Sequence, residues 1–171
     1  MKLRVSHRDA MFNPNLRQEY VDCLVEASGK TFPFVNAFLY QQQSHEGGML
    51  CKGEFGKKSD IYLFEDNFSP AFNKLYRGGV PTEDIQLAHC LELCVHETAH
   101  AEHFFQGIPG FKPNDFNLQT NRGKRIFMIA SEIDAHARHI VALGQVRGIT
   151  NYVRKMQDGF LKIYEGYMSS L

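Results

Sequence analysis

The pentapeptide His96-Glu97-Thr98-Ala99-His100 sits in the middle of a strong helical pattern and restricts what that helix can be. The pattern is expected to run from about Asp84 to Phe105. Pro81-Thr82-Glu83-Asp84 opens it, with Thr82 as the expected N-cap and two acids in the first turn, and Gly107 and Pro109 close it. On an α-helix, residues four apart share a face with Cβ atoms about 5–6 Å apart, so the two imidazoles can converge on one zinc ion. Glu97 lies about 100° round from His96, beside the ion, where it can act on an attacking water and carry its proton. Leu87, Cys90, Leu91, Cys94, Ala101 and Phe105 fall on the opposite side, and Leu93 and Phe104 flank the histidines. Such a helix is expected to run buried through the middle of a domain.

His89 and His103 share the azimuth of His96, two helical turns before and after it. Seven residues span about 10.5 Å of axis, so neither reaches the same ion. Both are expected as polar residues lining the same cleft, with hydrogen bonding to the ligands left open. Cys90 and Cys94 are also four apart but point away from the histidine face, as buried core thiols would.

A hydrolytic zinc commonly has three protein ligands and one open position. The richest source of a third ligand is Ser131-Glu132-Ile133-Asp134-Ala135-His136-Ala137-Arg138-His139, in a helix expected from about Lys124 to Leu143. Ile126, Ile129, Ile133, Ala137 and Ile140 fall within an arc of about 80° and are expected to be its buried stripe. Glu132, His136 and His139 lie on one flank of that stripe and Asp134 on the other. Glu132 is the expected ligand, because its flank carries the histidines and its extra methylene adds reach. Asp134 and His136 stay as competitors. Six of the eight histidines lie between positions 89 and 139, which favours a site over a solvated helix face.

The rest of the chain supplies the setting. Its 171 residues suit one domain, 1–171, with a hydrophobic core of its own. Nineteen Lys and Arg balance nineteen Asp and Glu, which speaks against a nonspecific binder of nucleic acid or acidic membrane. No apolar run approaches the roughly 20 residues of a membrane span, and residues 1–15 lack a signal-peptide core. Four dispersed cysteines without a CxxC read as thiols in a reducing compartment, so a cytoplasmic location is expected. Helices are also expected from Asn15 to Ser28, over a short stretch from Pro33 to Gln42, and from a Thr150 cap to about Met168. The last has Tyr152, Val153, Met156, Phe160, Leu161 and Tyr164 as its apolar set. Met49-Leu50-Cys51 and Ile61-Tyr62-Leu63-Phe64 form the one clear β-signal, an antiparallel hairpin turned at 56–60. Leu75–Pro81 and Gly107–Gly123 read as loops. The expected fold class is α+β, mainly helical.

In Val95-His96-Glu97-Thr98-Ala99-His100-Ala101-Glu102-His103 and Glu132-Ile133-Asp134-Ala135-His136-Ala137 the chain resembles the HExxH zinc metallopeptidases. Among these it is similar to compact bacterial metallopeptidases with HExxHxxQ followed by a Glu-Ala-Asp-Ala-type helix. The resemblance covers roughly residues 48 to 140. His103 stands where that family usually has Gln, and no HExxHxxGxxH extension is present. His136 occupies a position where the glutamate-ligand branch often has an acid. The resemblance implies a minimal zincin-like domain with a central zinc-binding helix, and a strand from Asp60 to Phe64 as the edge that aligns a peptide. It implies zinc held by His96, His100 and Glu132, Glu97 as general base and then acid, and a peptide or protein substrate. Partners in nucleic acid or membrane are not implied. His136, His139, Tyr62 and Arg138 are candidates for stabilising the oxyanion. Two other readings stand beside it: a zinc-stabilised binding module without turnover, and a helical interaction protein without metal.

Overall fold

A computed structural model describes residues 1–43, 45, 48–69, 78–146 and 151–169. Residues 75–77 of the expected loop and the expected Thr150 cap lie outside these residues. The architecture is α+β and mainly helical, with a small mixed sheet. Among the described residues no helix is long and apolar enough to cross a membrane.

The chain opens with a short helix that sequence reading passed over, α1 (His7–Phe12). Its signal was present as a capping box: Ser6 Oγ accepts from the Asp9 N–H at 3.1 Å, and the Asp9 carboxylate accepts from the Ser6 N–H at 2.9 Å. Helix α2 (Arg17–Ser28) follows and ends at Gly29, whose φ of +62° is the left-handed conformation that glycine adopts without cost.

The sheet holds three strands, β1 (Val35–Gln41), β2 (Met49–Lys52) and β3 (Ser59–Phe64). The hairpin is present as β2–β3, antiparallel, with Leu50 opposite Tyr62 and Cys51 opposite Ile61. Strand β1 replaces the short helix expected over Pro33–Gln42. It pairs parallel with β3, Phe38 beside Ile61 and Leu39 beside Tyr62. A brief apolar run fits either state, and here the tertiary partner decided. The order β1-β3-β2 puts β3 in the centre with β1 and β2 at the two edges, so the strand expected as an edge at Asp60–Phe64 is corrected to a central one, and the edge beside the long helical rod described below is β2.

The sheet and α2 close over a core of Tyr20, Leu24, Ile61, Leu63, Leu93 and Cys94, with Cys90 buried among them. Leu93 and Cys94 belong to a long helical rod. It begins as α3 (Thr82–Leu91), passes through one π turn (Glu92–His96), and continues as α4 (Glu97–Gln106). Pro81 precedes α3, and Thr82 is its first residue instead of the expected cap. In the π turn the Glu97 N–H donates to the Glu92 carbonyl, five residues back. That wide turn inserts about one residue of rotation between the two halves of the rod. His89 therefore leaves the azimuth of His96. It faces the core, with Nδ1 2.9 Å from the Tyr20 hydroxyl and its ring 5.1 Å from that of His7.

Helix α5 (Asn121–Gly144) starts earlier than expected because Thr120 Oγ accepts from the Gly123 N–H at 3.0 Å. Its buried residues are Phe127, Ser131, Ala135, His136, His139 and Leu143. The expected isoleucine stripe is not the buried face: Ile126 is 39% exposed, and Ile129, Ile133, Ala137 and Ile140 are half-buried. The helix is rotated so that a mostly polar face meets α4. Helix α6 (Asn151–Met168) packs along α5; in its expected apolar set Leu161 is exposed and Tyr164 half-buried.

The entry to α5 yields a prediction. A Cβ on Gly123 would run into the carbonyl oxygens of Phe116 and Asn117, which are backbone and cannot swing aside. Gly123→Ala should cost at least about 2 kcal/mol in a denaturant melt, in the range of overpacked sites. Gly144, with nothing within 4 Å of its virtual Cβ, is the control. Gly144→Ala should be neutral or stabilising by up to about 1 kcal/mol.

Candidate metal centre

Three side chains from two helices converge at the junction of the rod with α5. His96 ends the π turn and His100 lies one turn further on, with their Nε2 atoms 3.2 Å apart. Glu132 comes from α5, with Oε2 3.5 Å from His96 Nε2 and Oε1 3.5 Å from His100 Nε2. His96, His100 and Glu132 thus offer donor atoms within one metal-sized cluster. The rotation of α5 makes this possible. Ser131 and Ala135, small and buried, let the helix approach α4 closely, and Glu132 projects beside them. The flank expected for Glu132 is the one that meets α4, though buried polar and small residues place it there instead of the isoleucines.

The charges suit a cation. Burial opposes the charged form of Glu132, yet hydrogen bonding and charge from His100 and His96 hold it well below the usual carboxylate range. Burial likewise opposes a charged His96, but Glu132, Glu92 and Glu97 outweigh it and bring His96 up to about 8. Burial raises Glu97, partly offset by the two histidines and by the Cys51 N–H, which donates to its carboxylate. Glu97 is thereby tied to β2, the edge strand.

His100 continues into a chain of polar contacts. Its Nδ1 lies 2.7 Å from Ser131 Oγ, and the same oxygen lies 2.8 Å from His103 Nδ1. His103 Nε2 is 2.7 Å from Asp134 Oδ2, which also accepts from Arg138 Nε at 2.7 Å. Arg138 Nη1 in turn donates to Glu102 at 2.6 Å. Asp134, the competing ligand, is therefore committed to His103 and Arg138. Arg138, expected as an oxyanion donor, is committed to two carboxylates.

His136 lies next to the triangle, its ring 4.5 Å from that of His96 and its Nδ1 3.1 Å from the Glu132 carbonyl. Burial, then the charge of His96, lowers it to about 4, so it is a neutral imidazole. His139 has no exposed surface, and its Nδ1 is 3.2 Å from Glu92 Oε2. That burial sets it apart from a substrate. Tyr62 alternates to the face of β3 opposite Ile61 and Leu63, the core-facing residues.

Two residues near the site escaped the sequence reading. Glu92, four before His96, forms a second donor group with His96 and His139. Because it shares His96, and one neutral imidazole offers a single lone pair, it is not an independent metal site. Tyr167 on α6 stands 5.6 Å from the His136 ring. Burial and the Glu132 charge raise its hydroxyl, so it stays protonated. Glu92 had a legible spacing to His96, whereas nothing local marks Tyr167. A groove of about 520 Å³, lined by Phe32, Phe34, Cys94, Thr98, Arg138 and Val141, includes none of the triangle residues.

Compared with protein-family models, with curated proteins and with solved structures, the chain matches none.

Proposed function

We propose that this chain is a zinc-dependent peptidase of the glutamate-ligand type, in which His96, His100 and Glu132 hold the metal and Glu97 moves the proton of the attacking water. The observation that carries the reading is the donor cluster: His96 Nε2 and His100 Nε2 stand 3.2 Å apart, each 3.5 Å from a different carboxylate oxygen of Glu132. Tetrahedral bonds of about 2.0–2.1 Å put neighbouring ligand atoms about 3.3 Å apart, a spacing close to each of these three distances. Two imidazoles and a carboxylate are also a donor set that borderline-soft zinc prefers to calcium or magnesium. When bound, zinc supplies a Lewis acid that polarises the scissile carbonyl and acidifies water.

The chain's own residues supply the rest. Glu97 is buried, and burial raises its affinity for a proton toward the range useful to a general base. The Cys51 N–H holds its carboxylate between His96 and β2. From there it takes a proton from water and returns it to the leaving amide nitrogen. Edge strand β2 offers main-chain groups to an extended peptide, the usual way a sheet edge receives one. Tyr167, whose hydroxyl stays protonated beside the His136 ring, is the donor offered to the developing oxyanion, because the neutral His136 spends its one N–H on the Glu132 carbonyl and its Nε2 can only accept.

Three outcomes are expected. Protein purified without added metal or chelator should carry about one zinc per chain. Glu132→Ala should lose it on dialysis, and a chain that takes up no zinc in titration ends the proposal. Glu97→Gln should keep zinc while turnover on a peptide library drops at least about 10²-fold. Equal turnover in the two proteins would exclude Glu97 as the base, and retained zinc without turnover in either would make the metal structural.

Zinc affinity should also depend on pH with a defined sign. The metal needs a neutral imidazole, and the proton on His96 is held up to about 8. Affinity should therefore rise with pH until about 8 and then level off. Zinc uptake near pH 7 should release about one proton per ion, read by calorimetry in buffers of different ionisation heat. Affinity that does not change between about pH 6 and 8 would contradict this assignment of His96.

A further inference from the structure

We propose that the groove between the rod, α5 and residues 30–35 is a binding site for a free aliphatic carboxylate, with its chain lying in the groove and its charged end at Lys30. The site is separate from the candidate metal centre, since His96, His100 and Glu132 do not line it.

Size and lining select the body of the ligand. The volume of about 520 Å³ lies within the range of small-molecule sites, about 300–1,000 Å³. Three elements wall the groove: Phe32 and Phe34 ahead of and at the start of β1, Cys94 and Val95 in the π turn, and Ala137 and Val141 on α5. Cys94, 2% exposed, is its floor. The two aromatic walls are braced from behind without any ligand. The Phe32 ring meets that of Phe38 edge-on at 5.0 Å, and the Phe34 ring stands 5.2 Å from that of Phe105. An alkyl chain fills such a space by dispersion and by release of water.

Polar groups decide between an alkyl chain and a peptide. The main-chain groups beside the groove are spent within the fold. The Val35 N–H donates to the Phe32 carbonyl at 3.1 Å, and the Ser59 N–H donates to the Phe34 carbonyl at 3.0 Å. Along β1, Gln18 accepts from the Tyr40 N–H at 2.7 Å and donates to the Phe38 carbonyl at 3.1 Å. The Thr98 hydroxyl donates to the Val95 carbonyl of its own helix at 3.2 Å. A peptide laid here would bury amides without partners, which is costly for each one. An aliphatic carboxylate keeps all its polar atoms at one end. Charge selects the sign of that end. The ionised lining residues are Lys30, Arg138 and Glu102, two cations and one anion. Arg138 is paired with Glu102, and its second partner, Asp134, lies outside the lining. Lys30, exposed at the rim, makes no ion pair among the described residues. Its ammonium is the charge left over, and a carboxylate complements it.

Calorimetric titration of the full-length, metal-stripped chain with octanoate and decanoate reads the affinity, and methyl NMR locates the ligand. Working without metal keeps the carboxylate from binding zinc instead. One decanoate should bind per chain, with nuclear Overhauser contacts from its alkyl protons to the methyl groups of Val95 and Val141. Affinity should rise about fourfold per methylene, the factor for burying each one, and so about 15-fold from octanoate to decanoate. Decanol, which lacks the charge, should bind at least about fivefold more weakly than decanoate. Lys30→Glu, at an exposed position outside the helices, should weaken decanoate at least about fivefold by turning attraction into repulsion. Val141→Asp is the second variant, on the 62% exposed side of α5 where the fold tolerates a charge, and should weaken it at least about tenfold. No saturable binding, contacts to methyl groups elsewhere, or an affinity independent of chain length overturns the site. Equal affinity for decanol and decanoate, or for the wild type and Lys30→Glu, overturns the anionic end. None of these measurements uses zinc or turnover, so they stand or fall apart from the peptidase reading.

Discussion

Helices α4 and α5 meet through imidazoles, carboxylates and a hydroxyl where most helix pairs meet through aliphatic side chains. A buried polar group without a partner costs more than the bond it would make, so such an interface has few acceptable geometries. Ser131 must reach both His100 and His103, and Asp134 must reach His103 and Arg138. Those requirements set the rotation and height of α5 on the rod. The isoleucines, which lose less by partial exposure, are left at the margin. Glu132 reaches the two histidines as a consequence of this contact.

The π turn is the second constraint. A regular α-helix through residues 82–106 would leave His89 and His96 on one line. The wider turn sends His89 into the apolar core against Tyr20, while His96 turns to α5. It also brings Glu92 to the side of His96 and His139, placing negative charge on both sides of the imidazole. Glu97 begins the regular helix after the turn and is held by the Cys51 N–H of β2. The proposed metal ligands, the proposed base and strand β2 thus stand in one small region because a single turn of the rod is out of phase. The π turn forgoes the more favourable geometry of the α-helix there, which is the pattern of helix irregularities kept at working sites.

Much of the fold was legible in local pattern. The helices over 17–28, 82–106 and 121–144 follow from apolar periodicity with caps and glycine stops, and the β2–β3 pairing follows from two branched, aromatic runs around a turn. Strand β1 was not legible, because seven residues of mixed character become a strand only when β3 is beside them. Helix α1 was legible and overlooked, since Ser6 and Asp9 already stand at capping-box spacing.

For the site, the division follows the range of the interactions. Helical periodicity alone puts His96 and His100 on one face with Glu97 beside them, because it acts over one turn and needs no partner. It also determined that a second helix rich in metal-capable side chains follows, without deciding among Glu132, Asp134 and His136. Tertiary contacts separate the three: Asp134 is drawn to His103 and Arg138, His136 turns its Nδ1 to the Glu132 carbonyl, and Glu132 presents both oxygens to the histidine pair. The same contacts across the fold place Ser131, His103, Glu92 and Tyr167. Each depends on a partner dozens of residues away or on a helix phase set by one π turn, and the periodicity of a single helix carries neither.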